Sequence, residues 1–430
     1  MLAVPVLDRL GVARGAVLGL MGALATAGCA GEGARAADPA VRDSAGIRIV
    51  ENPTELPSSL SWSALEEVSI GSVDGSEAET FNQVAELAVA KDGRVYVLDS
   101  GDNVVKVYDA AGAHVITFGG EGEGPEEFQG ASRLMVRGDS VVVFDVRLMK
   151  LAHFDGDGEL LGTVRSQLTV FDHGFPIRMI PRGDGFVVVL ATGCSLPAPE
   201  DRRPKWKVLA VDGGGGVQDT VALEVDPGAL AIYGDRFCSS VNALAPRRHS
   251  LAVRADGLTA YGDGDRYEIR LFDIEDAIAA PTPAMGDRAL FAVAPRAIVR
   301  RAVTLPDVES AQIEAYRART MADRTTPDGR PDREQIGPIE AAWDSTGFAR
   351  TWPAFDALLW DDAGRLWVGR VSPDTLAPRS WDVHADDGTL IGSVELPTSM
   401  RVHAVTGDMV WGTVRDELDV TYVKGYRVQR

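Results

Sequence analysis

Three residues of this chain recur at one fixed offset: Asp99, Asp109 and Gly112 return as Asp145, Asp155 and Gly158, each 46 residues later. The flanking run 84–118 returns with them as 130–164. A period of about 40–50 residues marks structural units that stack on one another. Within a unit, a turn such as Asp92-Gly93 joins two short runs rich in Val and Tyr, and Ala111-Gly112 joins two more. Glycine supplies the positive φ that tight hairpins need, so each unit reads as an antiparallel meander of four strands. One such sheet has two apolar faces and cannot bury both alone. Sheets set radially about an axis bury both and leave only short edges.

The turn before the second strand appears six times, at Asp92-Gly93, Gly138-Asp139, Asp184-Gly185, Asp256-Gly257, Ala363-Gly364 and Gly407-Asp408. The spacings are 46, 46, 72, 107 and 44, which leaves insertions of 26 and 61 residues once a unit is subtracted from each long interval. The expected fold is therefore all-β: a six-bladed β-propeller of four-stranded antiparallel blades over 46–430, with insertions near 191–247 and 278–353. The second insertion, between blades four and five, is helical. Pro306 to Arg324 starts with proline and acidic residues and ends with Arg317, Arg319 and Arg324, in keeping with the helix dipole, and Val308, Ala311, Ala315 and Tyr316 form its apolar stripe. Thr325 to Pro338, rich in Pro, Gly and charge, then returns the chain to blade five. The terminal run Tyr422–Val428 needs a partner strand, and Gly46–Val50 is the expected one, closing the ring and covering an edge.

Two stretches carry a family resemblance. Asp99-Ser-Gly-Asp-Asn-Val-Val-Lys-Val-Tyr-Asp109 is similar to the run Asp-x-x-Asn-x-Arg-Ile-x-Val-Phe-Asp of NHL-type six-bladed propellers, and Phe118-Gly-Gly-Glu-Gly-Glu-Gly-Pro-Glu-Glu-Phe128 resembles their glycine-rich link between blades. The chain most resembles the exported bacterial lipoproteins of the 6-bladed β-propeller group, over residues 60–165. Val104 and Lys150 stand where the family has arginine, so no role of that arginine carries over. The resemblance implies a propeller with a scaffold role and no assigned activity. Some related propellers resemble sugar-lactone hydrolases, which gather Glu, Asn and Asp around a metal. They supply the alternative expectation, a metal-dependent hydrolase or lyase with its site in the central channel.

The N-terminus points out of the cytoplasm. Residues 15–28 are small or apolar and uncharged, and follow Arg9 and Arg14. Fourteen such residues suit a signal peptide and fall short of the roughly 20 that a spanning helix needs. Leu24-Ala-Thr-Ala-Gly-Cys29 resembles a bacterial lipoprotein signal, with Thr26 where an aliphatic residue is usual, so Cys29 is the expected lipidation site; an ordinary cleaved signal is the other reading. Residues 1–28 are then the signal peptide and 29–45 a flexible tether, rich in Ala, Gly and charge. The localisation is the bacterial cell envelope, lipid-anchored, on the periplasmic side or the cell surface. In that oxidising compartment Cys194 and Cys238, 44 residues apart, are candidates for a disulfide, with two buried thiols as the alternative.

Charge and motifs narrow the partners. With 43 Lys+Arg against 63 Asp+Glu the net charge is −20, which repels phosphate backbones and sets nucleic acid aside. Gly119 to Gly124 is interrupted by Glu121 and Glu123 and lacks a following lysine, so it is a blade link rather than a phosphate loop. Asp155-Gly-Asp-Gly158 reads as a hairpin turn before it reads as a calcium loop. No nucleophile motif, cofactor motif or short metal-ligand spacing is present, so no catalytic, cofactor or metal residue is assigned. Aligned on the turns, the innermost strands give a polar row, Glu86, Ser132, Arg178, Ser250, Ala357 and Arg401, beside an apolar one, Leu87, Arg133, Met179, Leu251, Leu358 and Val402. Glu86, Arg178 and Arg401 are the candidate residues for holding a small anionic or zwitterionic ligand at the channel mouth; the alternative is solvated rim charges or a structural ion pair. The functional expectation is a non-catalytic, lipid-anchored scaffold that binds an envelope protein, a glycan or a small ligand.

Overall fold

Short Val-, Ile- and Tyr-rich runs between Gly- and Asp-bearing turns form strands wherever the sequence alternates them. The computed structural model describes residues 38–430 apart from 170–173, 193–204, 226–228, 234–237, 246–248, 280–288, 323, 325–329, 331 and 375–376. Strands β1 (Ala40–Ser44), β2 (Ile47–Asn52) and β3 (Ser61–Ile70) come first. Blade one is β4 (Val84–Val89), β5 (Val95–Asp99), β6 (Val104–Tyr108) and β7 (His114–Gly119), and blade two is β8 (Ala131–Arg137), β9 (Ser140–Asp145), β10 (Lys150–Asp155) and β11 (Leu160–Arg165). Blade three is β12 (Phe175–Arg182), β13 (Gly185–Thr192), β14 (Lys205–Val211) and β15 (Val217–Val225), followed by the hairpin β16 (Ala229–Tyr233) and β17 (Cys238–Asn242). Blade four is β18 (Ser250–Val253), β19 (Leu258–Gly262), β20 (Glu268–Asp273) and β21 (Ala297–Arg301), with short helices α1 (Ile274–Ala279) and α2 (Ala289–Ala292) before its last strand. Helices α3 (Ser310–Ala322) and α4 (Arg333–Thr346) lead to blade five, β22 (Phe355–Trp360), β23 (Leu366–Arg370), β24 (Arg379–His384) and β25 (Leu390–Leu396). Blade six is β26 (Arg401–Thr406), β27 (Met409–Arg415) and β28 (Thr421–Gln429), completed by β3. The fold is an all-β, six-bladed propeller, as the repeat predicts.

Six separate apolar clusters, one per blade interface, hold the ring. Leu98 and Phe128 pack with Phe154 between blades one and two, Phe144 with Phe186 between two and three, and Val189 with Phe272 between three and four. Tyr267 and Phe355 fill the next interface, Trp367 and Val410 the fifth, and Tyr108 with Trp411 the one that joins blade six to blade one. Trp367 and Trp411 are thus packing residues, and Trp360 donates its indole N–H to the Ala252 carbonyl across the interface of blades four and five at 3.2 Å.

The closing strand differs from the expectation. Gly46–Val50 does not complete the last blade: β2 pairs in parallel with β21 on the outer edge of blade four, and β1 pairs beyond it. Ala45 and Gly46, at φ of 55° and 82°, fold β1 back onto β2, so the expected tether ends before Ala40. Blade six is closed by β3, in register with β28 from Ile70↔Val423 to Ser63↔Gln429. Seven residues of β3 pair along β28, and Ser61 and Trp62 reach β25 of blade five. Lys424–Glu66 and Arg427–Glu67, both 2.7 Å, add ion pairs across the seam.

The repeated residues are structural. Asp99 is fully buried and accepts the backbone N–H of Asn82 and Gln83 and the Lys106 ammonium, at 3.0, 2.8 and 3.1 Å. Asp145 accepts from the N–H of Gln129, Gly130, Arg147 and Leu148 in the same place of blade two. Each ties the incoming link to the second strand. Asp109 and Asp155 each accept from the N–H two and four residues on, so Asp155-Gly-Asp-Gly158 is a side-chain-capped turn. Gly112 and Gly158 follow at φ of 86° and 80°, and a Cβ there would meet Val68 at 2.8 Å and Phe118 at 2.6 Å.

The insertions meet each other. Helix α3 starts at Ser310, later than Pro306, and of the expected stripe only Tyr316 is buried. Within the return segment Thr325 to Pro338 a second helix, α4, begins at Arg333. The Asp332 carboxylate caps it by accepting from the N–H of Glu334 and Gln335, which offsets the hydrogen bond lost at Pro338. Tyr316, Ile339 and Trp343 pack with Leu244, Met321 and Phe348, joining the helices to the connection after blade three, and α4 lies against β16.

Two stability predictions follow from buried polar groups. Asp99→Ala strands Lys106, which is 4% exposed, and two N–H donors, so urea unfolding should show a loss of about 3–5 kcal/mol. His384 is fully buried between Tyr267 and Gly388; its Nδ1–H donates to the Gly388 carbonyl at 3.2 Å and its Nε2 accepts from the Tyr267 hydroxyl at 2.8 Å. Burial pushes its pKa from 6.5 down to about 4, with Asp382 opposing. The unfolded chain takes up this proton first, so the stability that His384 contributes is complete above about pH 6.5 and is lost as pH falls through about 4. Between pH 7 and 4 the unfolding free energy should fall on the order of 2–3 kcal/mol further in the native chain than in His384→Gln.

Candidate functional site

Innermost strands present one edge to the axis, and where they bulge they aim side chains into the channel. Five of the six carry a register irregularity in their first half, at Val84/Glu86, Ala131/Arg133, Pro176/Arg178, Phe355/Ala357 and Val402/Ala404. These bulges lie at the end where each blade is entered from the one before. The connection carrying β16–β17 and the one carrying α3 and α4 are both blade-to-blade links, so the insertions stand on the same face.

At this mouth the structure gathers Glu86, Arg178 and Arg401, the expected residues, and adds Arg133 and His403. Glu86, Arg178 and His403 line a channel cavity of about 340 Å³ to which all six innermost strands contribute. His403 Nδ1 lies 3.7 Å from Glu86 Oε1, and its Nε2 meets Thr413 Oγ1 at 3.2 Å. Arg133 donates to the Ser132 and Pro176 carbonyls and Arg178 Nη1 to the Leu251 carbonyl at 2.7 Å, so each fastens its blade to the next. The Arg401 side chain makes no hydrogen bond among the described residues, and the residue is exposed. Ser132, Ser250 and Ala357, the rest of the expected row, do not line the cavity.

The electrostatics are those of a cationic mouth. Burial disfavours the ionised form of Glu86, but His403, Arg133 and Arg401 outweigh it and hold its carboxyl below the usual range. Burial and the fields of Arg401 and Arg133 depress Arg178, with Glu86 opposing; Arg133 is lowered by burial and Arg401 in the same way. An arginine so depressed remains protonated in any physiological medium. These groups are ringed by protein yet wet, since Arg178 is exposed and the Glu86 side chain keeps 26% of its surface. Three guanidinium groups face one carboxylate, and the surplus positive charge suits an oxyanion. Among the described residues no three His, Cys, Asp or Glu side chains converge to hold a metal ion.

Arg133 and His403 were missed for a traceable reason. Gly138-Asp139 and Gly407-Asp408 are two-residue turns, and blade three also has one, at Gly183-Asp184, a residue before the Asp184-Gly185 read from sequence, whereas Asp92-Gly93, Asp256-Gly257 and Ala363-Gly364 sit within five-residue connections. The lengths differ by an odd number, so counting back from the turn slips by one residue between the two kinds. Glu86 stands opposite Leu98, just before Asp99, and Arg133 opposite Phe144, just before Asp145. In blade two the Gly-Asp order of Gly138-Asp139 was the available signal; Gly183-Asp184-Gly185 holds both orders and gives none, and neither does the bulge that turns His403 inward. Cys29 and Cys194 lie outside the described residues, as does the side chain of Cys238 on β17.

Stability separates fastening from free arginines. Arg133→Ala should cost about 1–2 kcal/mol in denaturant unfolding, because it leaves the Pro176 carbonyl without its donor, whereas Arg401→Ala should stay within about 0.5 kcal/mol.

The sequence family described as a 6-bladed beta-propeller matches residues 73–175. No curated protein matches the chain. Among solved structures, the chain is similar to a protein of Bacteroides fragilis NCTC 9343 described as a candidate exported protein, at 10% identity over 89% of this chain and 100% of that one, TM-score 0.44. It is also similar to a calcium-binding protein, regucalcin, of Agrobacterium tumefaciens strain C58, at 12% identity over 86% and 96%, TM-score 0.40. A third likeness is to virginiamycin B lyase of Staphylococcus aureus, at 10% identity over 80% and 96%, TM-score 0.36. At these identities nothing of their chemistry transfers. Among the described residues no helix is long and apolar enough to cross a membrane.

Proposed function

We propose that this chain is a lipid-anchored binding propeller of the bacterial cell envelope, whose channel mouth holds a small anionic ligand. Arg178 in the wall of one wet cavity beside Glu86, with Arg133 and Arg401 near enough to act on both, is the observation that supports it. The anchor rests on the lipoprotein-like signal ending at Cys29. A metal-dependent hydrolase or lyase fits the mouth poorly, because a divalent cation entering there would meet three guanidinium charges.

The test has two arms. In the native host Cys29→Ser should move the protein from the membrane pellet to the soluble fraction; pellet retention in the variant would reject the anchor. In thermal melts of the purified mature protein, acetate, succinate, sulfate and phosphate each probe the mouth. A binding anion at a hundredfold its Kd should add about 2.7 kcal/mol of stability. Arg178→Ala/Arg401→Ala should abolish that gain, and a gain that survives both substitutions would reject the site.

A further inference from the structure

Polarity changes along the channel. The ionisable members of the cavity lining, Glu86, Arg178 and His403, all belong to the mouth. Deeper in the same cavity the lining is apolar: Val89, Val136, Ile180, Leu359, Trp360 and Ala404, drawn from five of the innermost strands, are partly exposed to the channel. Leu87, Leu134, Met135, Met179, Leu251 and Leu358 also line it but are buried, whereas the first six, though packed against the clusters between blades, keep part of their surface uncovered. The throat is therefore walled by apolar side chains that a hydrocarbon could cover.

We propose that the site takes an amphiphilic monocarboxylate, a medium-chain organic acid whose carboxylate sits on Arg178 and Arg401 and whose hydrocarbon body fills the throat. This rests on the anion-binding reading of the mouth and narrows it to a ligand class. A compact anion such as sulfate uses the arginines and leaves the throat wet. A polyol meets side chains in the throat that offer it almost no hydrogen bonds. A wholly apolar molecule gains nothing from the surplus charge. An acid with a hydrocarbon tail satisfies both ends, and each buried methylene should tighten binding about fourfold until the throat is full.

The experiment is isothermal titration of the purified mature protein with sodium butyrate, hexanoate, octanoate and decanoate, with octanol as the uncharged control. The expected result is a Kd that falls about fourfold per methylene over the series, with octanol at least tenfold weaker than octanoate. Arg401→Ala should weaken every acid by a similar factor and keep the chain-length slope. Ala404→Phe, which fills the throat from blade six, should flatten the slope, so that octanoate loses far more affinity than butyrate; Val136→Phe, from blade two, repeats the test should the first variant melt early. Butyrate and octanoate binding equally, with arginine dependence intact, would overturn the amphiphile while leaving the anion site standing. A slope that survives both throat variants would place the hydrocarbon elsewhere and overturn it too. Failure of every acid to bind would remove this inference together with the reading beneath it.

Discussion

Each blade is a small sheet with two apolar faces, and neither can stay in water. That constraint explains the ring. Six clusters, one at each interface, form because every face meets the opposite face of a neighbour, and the last interface forms only if the ring closes. Closure therefore depends on β3, which pairs along the edge of β28 and whose Val68 and Ile70 enter the cluster shared by blades six and one. The N-terminal hairpin β1–β2, appended to blade four, extends that sheet and takes no part in closure.

Burial of the blade faces leaves the inner edges of six strands around the axis, and backbone groups there lack ladder partners. Side chains from neighbouring blades supply several: Arg133 to Pro176, Arg178 to Leu251 and Trp360 to Ala252. Two of the three arginines of the mouth are therefore both fasteners and charges, and Arg401 alone is free of the fastening role. The mouth is cationic in a protein whose net charge is −20, so its field is local and works against that of the surface.

The insertions show how a fold this regular acquires an individual face. Two links of different blades share an aromatic cluster around Tyr316 and Trp343 and stand on the face where the charged residues gather. Helix α4, with Pro338 inside it and Asp332 capping it, has no counterpart in the repeat, which is why it escaped a reading built on composition.

What the residues determined by themselves was local and periodic. Val and Tyr runs, Asp-Gly and Gly-Asp turns and the recurrence of Asp99, Asp109 and Gly112 are short-range signals, and they specify strands, blades and their number. Glu86, Arg178 and Arg401 were legible because polar residues at inner-strand positions are conspicuous. The rest belongs to tertiary structure. Which N-terminal strand closes the ring is a pairing across more than 350 residues that no local signal encodes, and which polar residues share the channel is set by bulges and turn lengths that shift register by single residues. Arg133 and His403 join the mouth for that reason: facing, in a sheet, reverses with every one-residue slip, and only the assembled backbone records the slip.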